Sequence, residues 1–244
     1  NPDLDYAKVK PADGYTYVMA CSLLDKVLGP LAKDGMPAYE ILETYKGTDL
    51  VGIDYEPLYA CAAEAAAKQH KRAHFVIADG YVTADDGTGI VHIAPAFGED
   101  DARVGRENGF PLIKFVDEKG VMTEETPFAG MRCKPTEKEM AAGAISADPE
   151  VLKDLSARKL LFDAPKFTHS YPHCWRCDTP LIYYARESWF IKMSAVKDDL
   201  VRNNNTVNWF PATIGTGRFG AWIENVQDWG LSRNRYWGTP LNIW

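Results

Sequence analysis

The sequence predicts an α+β protein: a small β-barrel with helices packed around it, followed by a ribbon-and-helix segment of different character. Three observations carry that expectation. Short runs of strand-forming residues alternate with turns and short helical patterns, as in a small closed sheet rather than a parallel one. Residues 1–150 hold 15 Lys and Arg against 26 Asp and Glu, whereas 151–244 hold 12 against 8. All seven tryptophans fall between Trp175 and Trp244. Two domains follow from these shifts, 1–165 and 166–244.

In chain order, 15–20 is aromatic and β-branched and reads as a strand. Residues 23–33 show a short helical pattern broken by Gly29-Pro30. Alternation predicts strands over 39–45 and 50–55, the second closed by Pro57. The alanine-rich run 60–72 should be helical, and 74–79 leads through Gly80 to a hairpin. Its arms are 81–83 and 90–92, and its turn holds Asp86-Gly87, a pair that allows positive φ. Pro95 stops the second arm, since proline cannot donate to a ladder.

Glu99, Asp100 and Asp101 suit the first turn of a helix running through Asn108, because acids there complement the helix dipole. A strand at 112–116, a turn at 117–120 and a strand at 121–123 come next. Residues 136–162 read as two helices divided at 146–149. Beyond 166 extended ribbons run to 193, with helices at 195–203 and 217–232. The apolar end, 235–244, reads as a further strand, an edge that would need a partner.

Composition narrows the function. The chain has 244 residues, 46% hydrophobic and 25% charged, an ordinary soluble globular balance. No apolar run approaches the roughly 18 residues of a membrane span, and no signal-peptide pattern is present. The chain starts at Asn1 and stops within a strand-like run, and it reads as an excised fragment. A net charge of −7 argues against a freestanding nucleic-acid binder. Any RNA backbone contact is expected in the basic C-terminal part, where Arg233 and Arg235 either touch phosphate or solvate the ribbon. Five cysteines do not make a disulfide framework, and Cys21, Cys61 and Cys133 read as core thiols.

The residues alone single out His92, at a strand end, and Asp101, at a helix start. Facing one pocket, they could bind an amino group and manage a water. By the residues alone, a hydrogen-bonded core histidine and a dipole-complementing acid are the better reading. Cys174 and Cys177 form a CxxC flanked by His169 and His173, two thiolates where a structural zinc takes four ligands. GTGRFG (215–220) lacks phosphate-loop spacing and reads as a helix start.

GTGIVHIAPAFGEDD (87–101) resembles the signature of the editing domain of isoleucyl-tRNA synthetases. The valyl and leucyl enzymes share the Gly-Thr-Gly strand but continue into a Pro-Ala-His-Asp type of segment. The resemblance extends through KGTDLVGIDYEPLY (46–59), HSYPHCWRCDTPLIYYARESWF (169–190) and GRFGAWIENVQDWGLSRNRYWGTPLNIW (217–244). It implies hydrolysis of mischarged valyl-tRNA(Ile), and of valyl-adenylate, within a cytoplasmic enzyme that ligates isoleucine to tRNA. By that resemblance Asp101 anchors the α-ammonium of the misattached amino acid. His92 lines the side-chain end and orients the 3′ adenosine or the water, while Gly89, Ile90, Val91, Ala94, Phe97 and Tyr171 complete the substrate surface. An ordinary packed Tyr171 remains an alternative.

The implied partners are the 3′ end of tRNA(Ile), valine and the remaining synthetase domains, with no membrane. Residues 166–244 would return to the catalytic core. Editing needs no cofactor. ATP and magnesium serve the synthetic domain, whose His-x-Gly-His motif is absent here; Lys192-Met193-Ser194 only imitates its KMSKS loop. In the family a cysteine pair upstream completes a zinc site, so Cys174 and Cys177 read as half of one. A zinc held within this chain and unliganded thiols stay open. The family's threonine-rich editing peptide also lies upstream of this sequence. A folded but catalytically incomplete binding or scaffold module is therefore the alternative function, and a zinc-ribbon RNA-binding module is a third.

Overall fold

A computed structural model describes residues 1–32, 37–166 and 168–232. The chain divides into two compact units, Asn1–Ala185 and Arg186–Trp244. The expected strand at 235–244, together with Arg233 and Arg235, lies outside the described residues.

The first unit mixes α and β elements around a small sheet. Strand β1 (Asp5–Pro11) runs between β2 (Tyr17–Ala20) and β3 (Tyr39–Lys46), antiparallel to both. Tyr6 stands opposite Ala20 and Tyr45, and a bulge between Lys8 and Val9 shifts the register towards β3. The sequence reading passes over β1, although it is central. Both of its faces are covered, so the buried pair Tyr6 and Ala7 breaks the polar–apolar alternation of a half-exposed strand.

Ala7 and Val9 pack with Met19, Leu24 and Leu28 on one side. Tyr6 packs with Ala20, Leu23 and Leu50 on the other. Helix α1 (Leu24–Leu28) supplies two of those side chains and passes into a 3-10 turn at Gly29–Leu31, where the Gly-Pro break is expected.

Several expected strands shrink to single bridges. The 50–55 and 74–79 runs meet only around Asp54 and Phe75, through bonds such as Gly52 N–H to the Val76 carbonyl (2.8 Å). Val116 and Met122 likewise bridge across the 117–120 turn, where Gly120 takes a φ of 76°. Helix α2 (Ala60–Lys68) ends short of Arg72, and His70 adopts a left-handed φ of 52° just beyond it.

The hairpin expected over 81–92 does not form. Its first arm and its turn find other partners: the Val82 carbonyl accepts from the Asn1 side-chain amide (2.9 Å), and the Thr88 carbonyl accepts from Ala20 N–H (2.9 Å). Helix α3 (Glu99–Glu107) forms where the acids predict it. Helices α4 (Glu137–Ala141) and α5 (Ala147–Ala157) are divided at 142–146 rather than at 146–149. Pro149 sits in the first turn of α5, where a missing N–H costs no helix bond.

Residues near 185 belong with the first unit. Ala185 N–H donates to the Ala96 carbonyl (2.8 Å), and Tyr184 Oη donates to the Val116 carbonyl (3.0 Å).

In the second unit, α6 (Lys197–Asn204), α7 (Thr213–Thr216) and α8 (Arg218–Glu224) surround a buried Asn204. Its amide donates to the Gly215 carbonyl (2.9 Å) and accepts from Trp209 Nε1 (3.0 Å). The single helix expected over 217–232 stops at Glu224. Residues 229–230 instead form β5 (Trp229–Gly230), paired with β4 (Phe190–Ile191). Asp228 is drawn away from helical geometry by accepting from Ser194 N–H (2.9 Å). GTGRFG does mark a helix start, with Gly217 as the N-cap of α8.

Candidate functional site

The site segment is laid against the first sheet by polar contacts. Tyr6 Oη donates to the Gly89 carbonyl at 2.8 Å. Gly89 has a φ of 73°, and a Cβ there would lie 2.6 Å from the Ala20 methyl. Only glycine meets both demands without strain. Past this tether Ile90 and Val91 are each 48% exposed, and His92 is exposed as well.

A tight turn then reverses the chain, with Phe97 N–H donating to the Ala94 carbonyl (2.8 Å). Gly98 caps α3, and its carbonyl accepts from Ala102 N–H (2.9 Å). Pro95 packs on Gly105, where an added Cβ would lie 2.8 Å from the proline ring. Phe97 meets the Tyr184 ring edge-on at 5.9 Å.

Asp101, in the first turn of α3, folds back onto this loop. Its Oδ2 accepts from Ala94 N–H at 3.1 Å, and a Cβ on Gly98 would sit 2.8 Å from the same oxygen. The carboxylate is half-buried, and the Ala94 N–H it accepts from lies two residues after His92.

Three residues that the sequence reading did not single out adjoin this pair. Asp79, with an 18% exposed side chain, is gripped through both oxygens by Arg103 of α3, at 3.0 and 3.2 Å. The guanidinium holds the Asp79 carboxyl below the ordinary carboxylate range, helped by the Tyr81 N–H. Arg103 also pairs with Asp100 (3.8 Å) and with Glu107 one turn on (3.0 Å), contacts visible as helical spacing. His74, at a left-handed φ of 60°, packs on the Tyr55 ring (5.9 Å). Its Nε2 is buried without a hydrogen-bond partner. Burial lowers the His74 pKa, and the charge of the neighbouring His92 lowers it further. No local pattern pointed to these contacts.

Tyr171 belongs to the same unit. Its ring meets those of His169 and His173 edge-on, at 5.9 and 5.8 Å, and Lys134 Nζ stands 5.8 Å from its centre.

Cys174 and Cys177 share a tight knuckle in which Cys174 N–H donates to the Thr179 carbonyl (2.9 Å) and Asp178 N–H to the Cys174 carbonyl (2.8 Å). Asp178 takes a φ of 56°. The Thr179 hydroxyl, 3.1 Å from Cys177 Sγ, lowers the Cys177 pKa, with smaller help from the Thr179 backbone and Cys174. Two thiols fill half of a tetrahedral zinc shell. Among the described residues no group of three or more His, Cys, Asp or Glu is gathered for a metal.

A sheet-tethered loop turning into an acid-rich helix is the surface that the motif occupies. The chain belongs to the class I tRNA synthetases: the family model for tRNA synthetases class I (I, L, M and V) matches residues 14–244. More particularly, it is similar over its whole length to isoleucine–tRNA ligases. It is 45% identical to those of Clostridium novyi and Clostridium kluyveri and 43% identical to that of Bacillus thuringiensis. In each case all of this chain is matched, and it spans 21% of the relative's length.

Proposed function

We propose that this chain is the editing part of an isoleucyl-tRNA synthetase and hydrolyses the ester joining valine to the 3′ end of tRNA(Ile). The observation that carries this is Asp101: a half-buried carboxylate at a helix start, fixed on one oxygen by Ala94 N–H, inside the motif GTGIVHIAPAFGEDD. Its other oxygen would take the substrate ammonium. The exposed His92, Ile90 and Val91 would receive the short aliphatic side chain and the terminal ribose.

The reaction is water attack on the ester carbonyl, with donors stabilising the oxyanion that develops. A neutral His92 would orient or deprotonate that water. Such a site is useful because one methylene contributes little to discrimination in an apolar pocket, a limit for which the isoleucyl enzyme is itself the standard illustration. A second pocket too small for isoleucine admits valine and removes it.

Under this reading the β1–β3 sheet and the segments laid on it are part of a small barrel with helices outside, spanning 1–165. Residues 166–244 connect to the catalytic core, which alone uses ATP and magnesium. The Cys174–Cys177 knuckle is half of a zinc site shared with the longer enzyme. The work is done in the cytoplasm, on tRNA(Ile).

The test is deacylation of valyl-tRNA(Ile) and isoleucyl-tRNA(Ile) by the 244-residue chain. Hydrolysis of the valyl ester is expected, and Asp101→Ala should slow it by about a hundredfold or more, the scale of losing a charge partner in a buried pair. His92→Ala should narrow the preference for valyl over isoleucyl ester. Unchanged hydrolysis by Asp101→Ala would refute the amine anchor. An inactive, well-folded chain would favour a binding or scaffold role.

A further inference from the structure

Tyr81 is carried towards the first turn of α3 by a chain of bonds. Its N–H donates to Asp79 Oδ1 (3.1 Å), Asp79 is clamped by Arg103, and Arg103 follows Asp101 by two residues on the same helix. The phenol oxygen at the end of this arrangement is buried and reaches no partner at hydrogen-bond geometry. Burial raises the Tyr81 pKa, and the Asp101 carboxylate is the largest of the charges that raise it further, ahead of Asp79 and Asp100. A side-chain hydrogen bond towards Asp101 adds the smallest part of that rise, so the hydroxyl already faces the carboxylate, outside regular hydrogen-bond geometry. Buried hydroxyls normally find a partner, and one left open beside a candidate site calls for a ligand.

An ammonium has three N–H donors to place. Asp101 offers one oxygen, since the other holds Ala94 N–H. A phenol can accept an ammonium N–H through its lone pair while giving its own proton to a carboxylate. We infer that Tyr81 is a second recognition residue for the substrate's α-ammonium, its Oη accepting from the amine and donating to Asp101. This rests on the editing reading. It adds that the amine is fixed from two separate elements, the 79–81 segment and α3, which Asp79 and Arg103 lock together. An acyl group bearing a 2-hydroxyl in place of the amine would gain little from the same pair.

The experiment uses the 244-residue chain and two stable probes. One is valyl-adenosine with an amide replacing the ester; the other is the same molecule with a hydroxyl replacing the amine. Tyr81→Phe keeps the ring and removes one oxygen. Calorimetric titration should show the variant binding the amine probe about tenfold more weakly, the scale of one hydrogen bond to a charged group. The hydroxyl probe should bind as before. Equal effects on both probes, or none on either, would overturn the role of Tyr81 while leaving valyl-tRNA hydrolysis by the unaltered chain intact. If the unaltered chain neither binds the amine probe nor hydrolyses valyl-tRNA, the editing reading falls and the Tyr81 assignment with it.

A second measurement is independent of ligand. Tyr81 should titrate above the ordinary tyrosine value of 10.0 and move back towards it in Asp101→Asn. A titration indifferent to that change would remove the Tyr81–Asp101 proximity and overturn the assignment.

Discussion

Residues 5–31 and residues 79–101 lie in the same compact unit but are held by different forces. In the first stretch Ala7, Val9 and Leu28 are 0% exposed and close on Met19 and Leu24. In the second, Ile90 and Val91 stay half in solvent, and order comes from polar tethers: Tyr6 Oη to Gly89, Ala20 N–H to Thr88, Arg103 to Asp79, and Ala94 N–H to Asp101. Apolar burial is non-directional and contributes stability. Hydrogen bonds add less net free energy but fix orientation. Stability and site geometry are therefore separable in this unit, and mutations should part them.

The largest loss of stability is expected from Leu28→Ala, which removes a fully buried side chain and should cost about 3 kcal/mol in urea unfolding. The fraction still folded should keep the site's selectivity. A loss within the noise of unchanged proteins would mean that this core is not what stabilises the unit.

Gly89→Ala comes next. The substitution meets both a φ of 73° and a contact 2.6 Å from Ala20 Cβ, a strain of about 1–3 kcal/mol. Although less destabilising than Leu28→Ala, it should reduce valyl-ester hydrolysis more at temperatures where both variants are folded. The reverse ranking would break the distinction between core and tether.

The smallest effect is at Asp79. Its carboxyl is held below the ordinary value of 3.8 by Arg103, so its contribution to stability is present above that pH and is lost as pH falls through the lower folded value. Melting temperatures of the unaltered chain and of Asp79→Asn should differ at pH 7 and converge only as pH falls below 3.8 and through the lower folded value. A constant gap would show that the Asp79–Arg103 pair does not titrate with folding.

Local signals in the sequence were reliable where the physics is local. The three acids and α3 itself follow from a few neighbouring residues. So do β3, the break at Gly29-Pro30 and the turn at 117–120. The hairpin over 81–92 was misread for an equally physical reason. Alternation and an Asp-Gly pair favour a hairpin, but the first arm and the turn are claimed by more distant partners, Asn1 and Ala20. The central strand β1 escaped because its two faces are buried by elements distant in the chain: Leu50 joins the cluster around Tyr6, and Val76 and Ala84 pack against it.

By itself the sequence determined the family, the placement of His92 and Asp101 around a turn into a helix, and the acidic and basic halves of the chain. These rest on residue identity and near-neighbour spacing. Only the tertiary structure decided that Asp101 bonds Ala94, that Arg103 clamps Asp79, and that Tyr81 and His74 bring unpartnered polar atoms to the same site. Hydrogen bonds and charge contacts depend on distance in space, and no periodicity along the chain encodes a meeting between residues twenty positions apart.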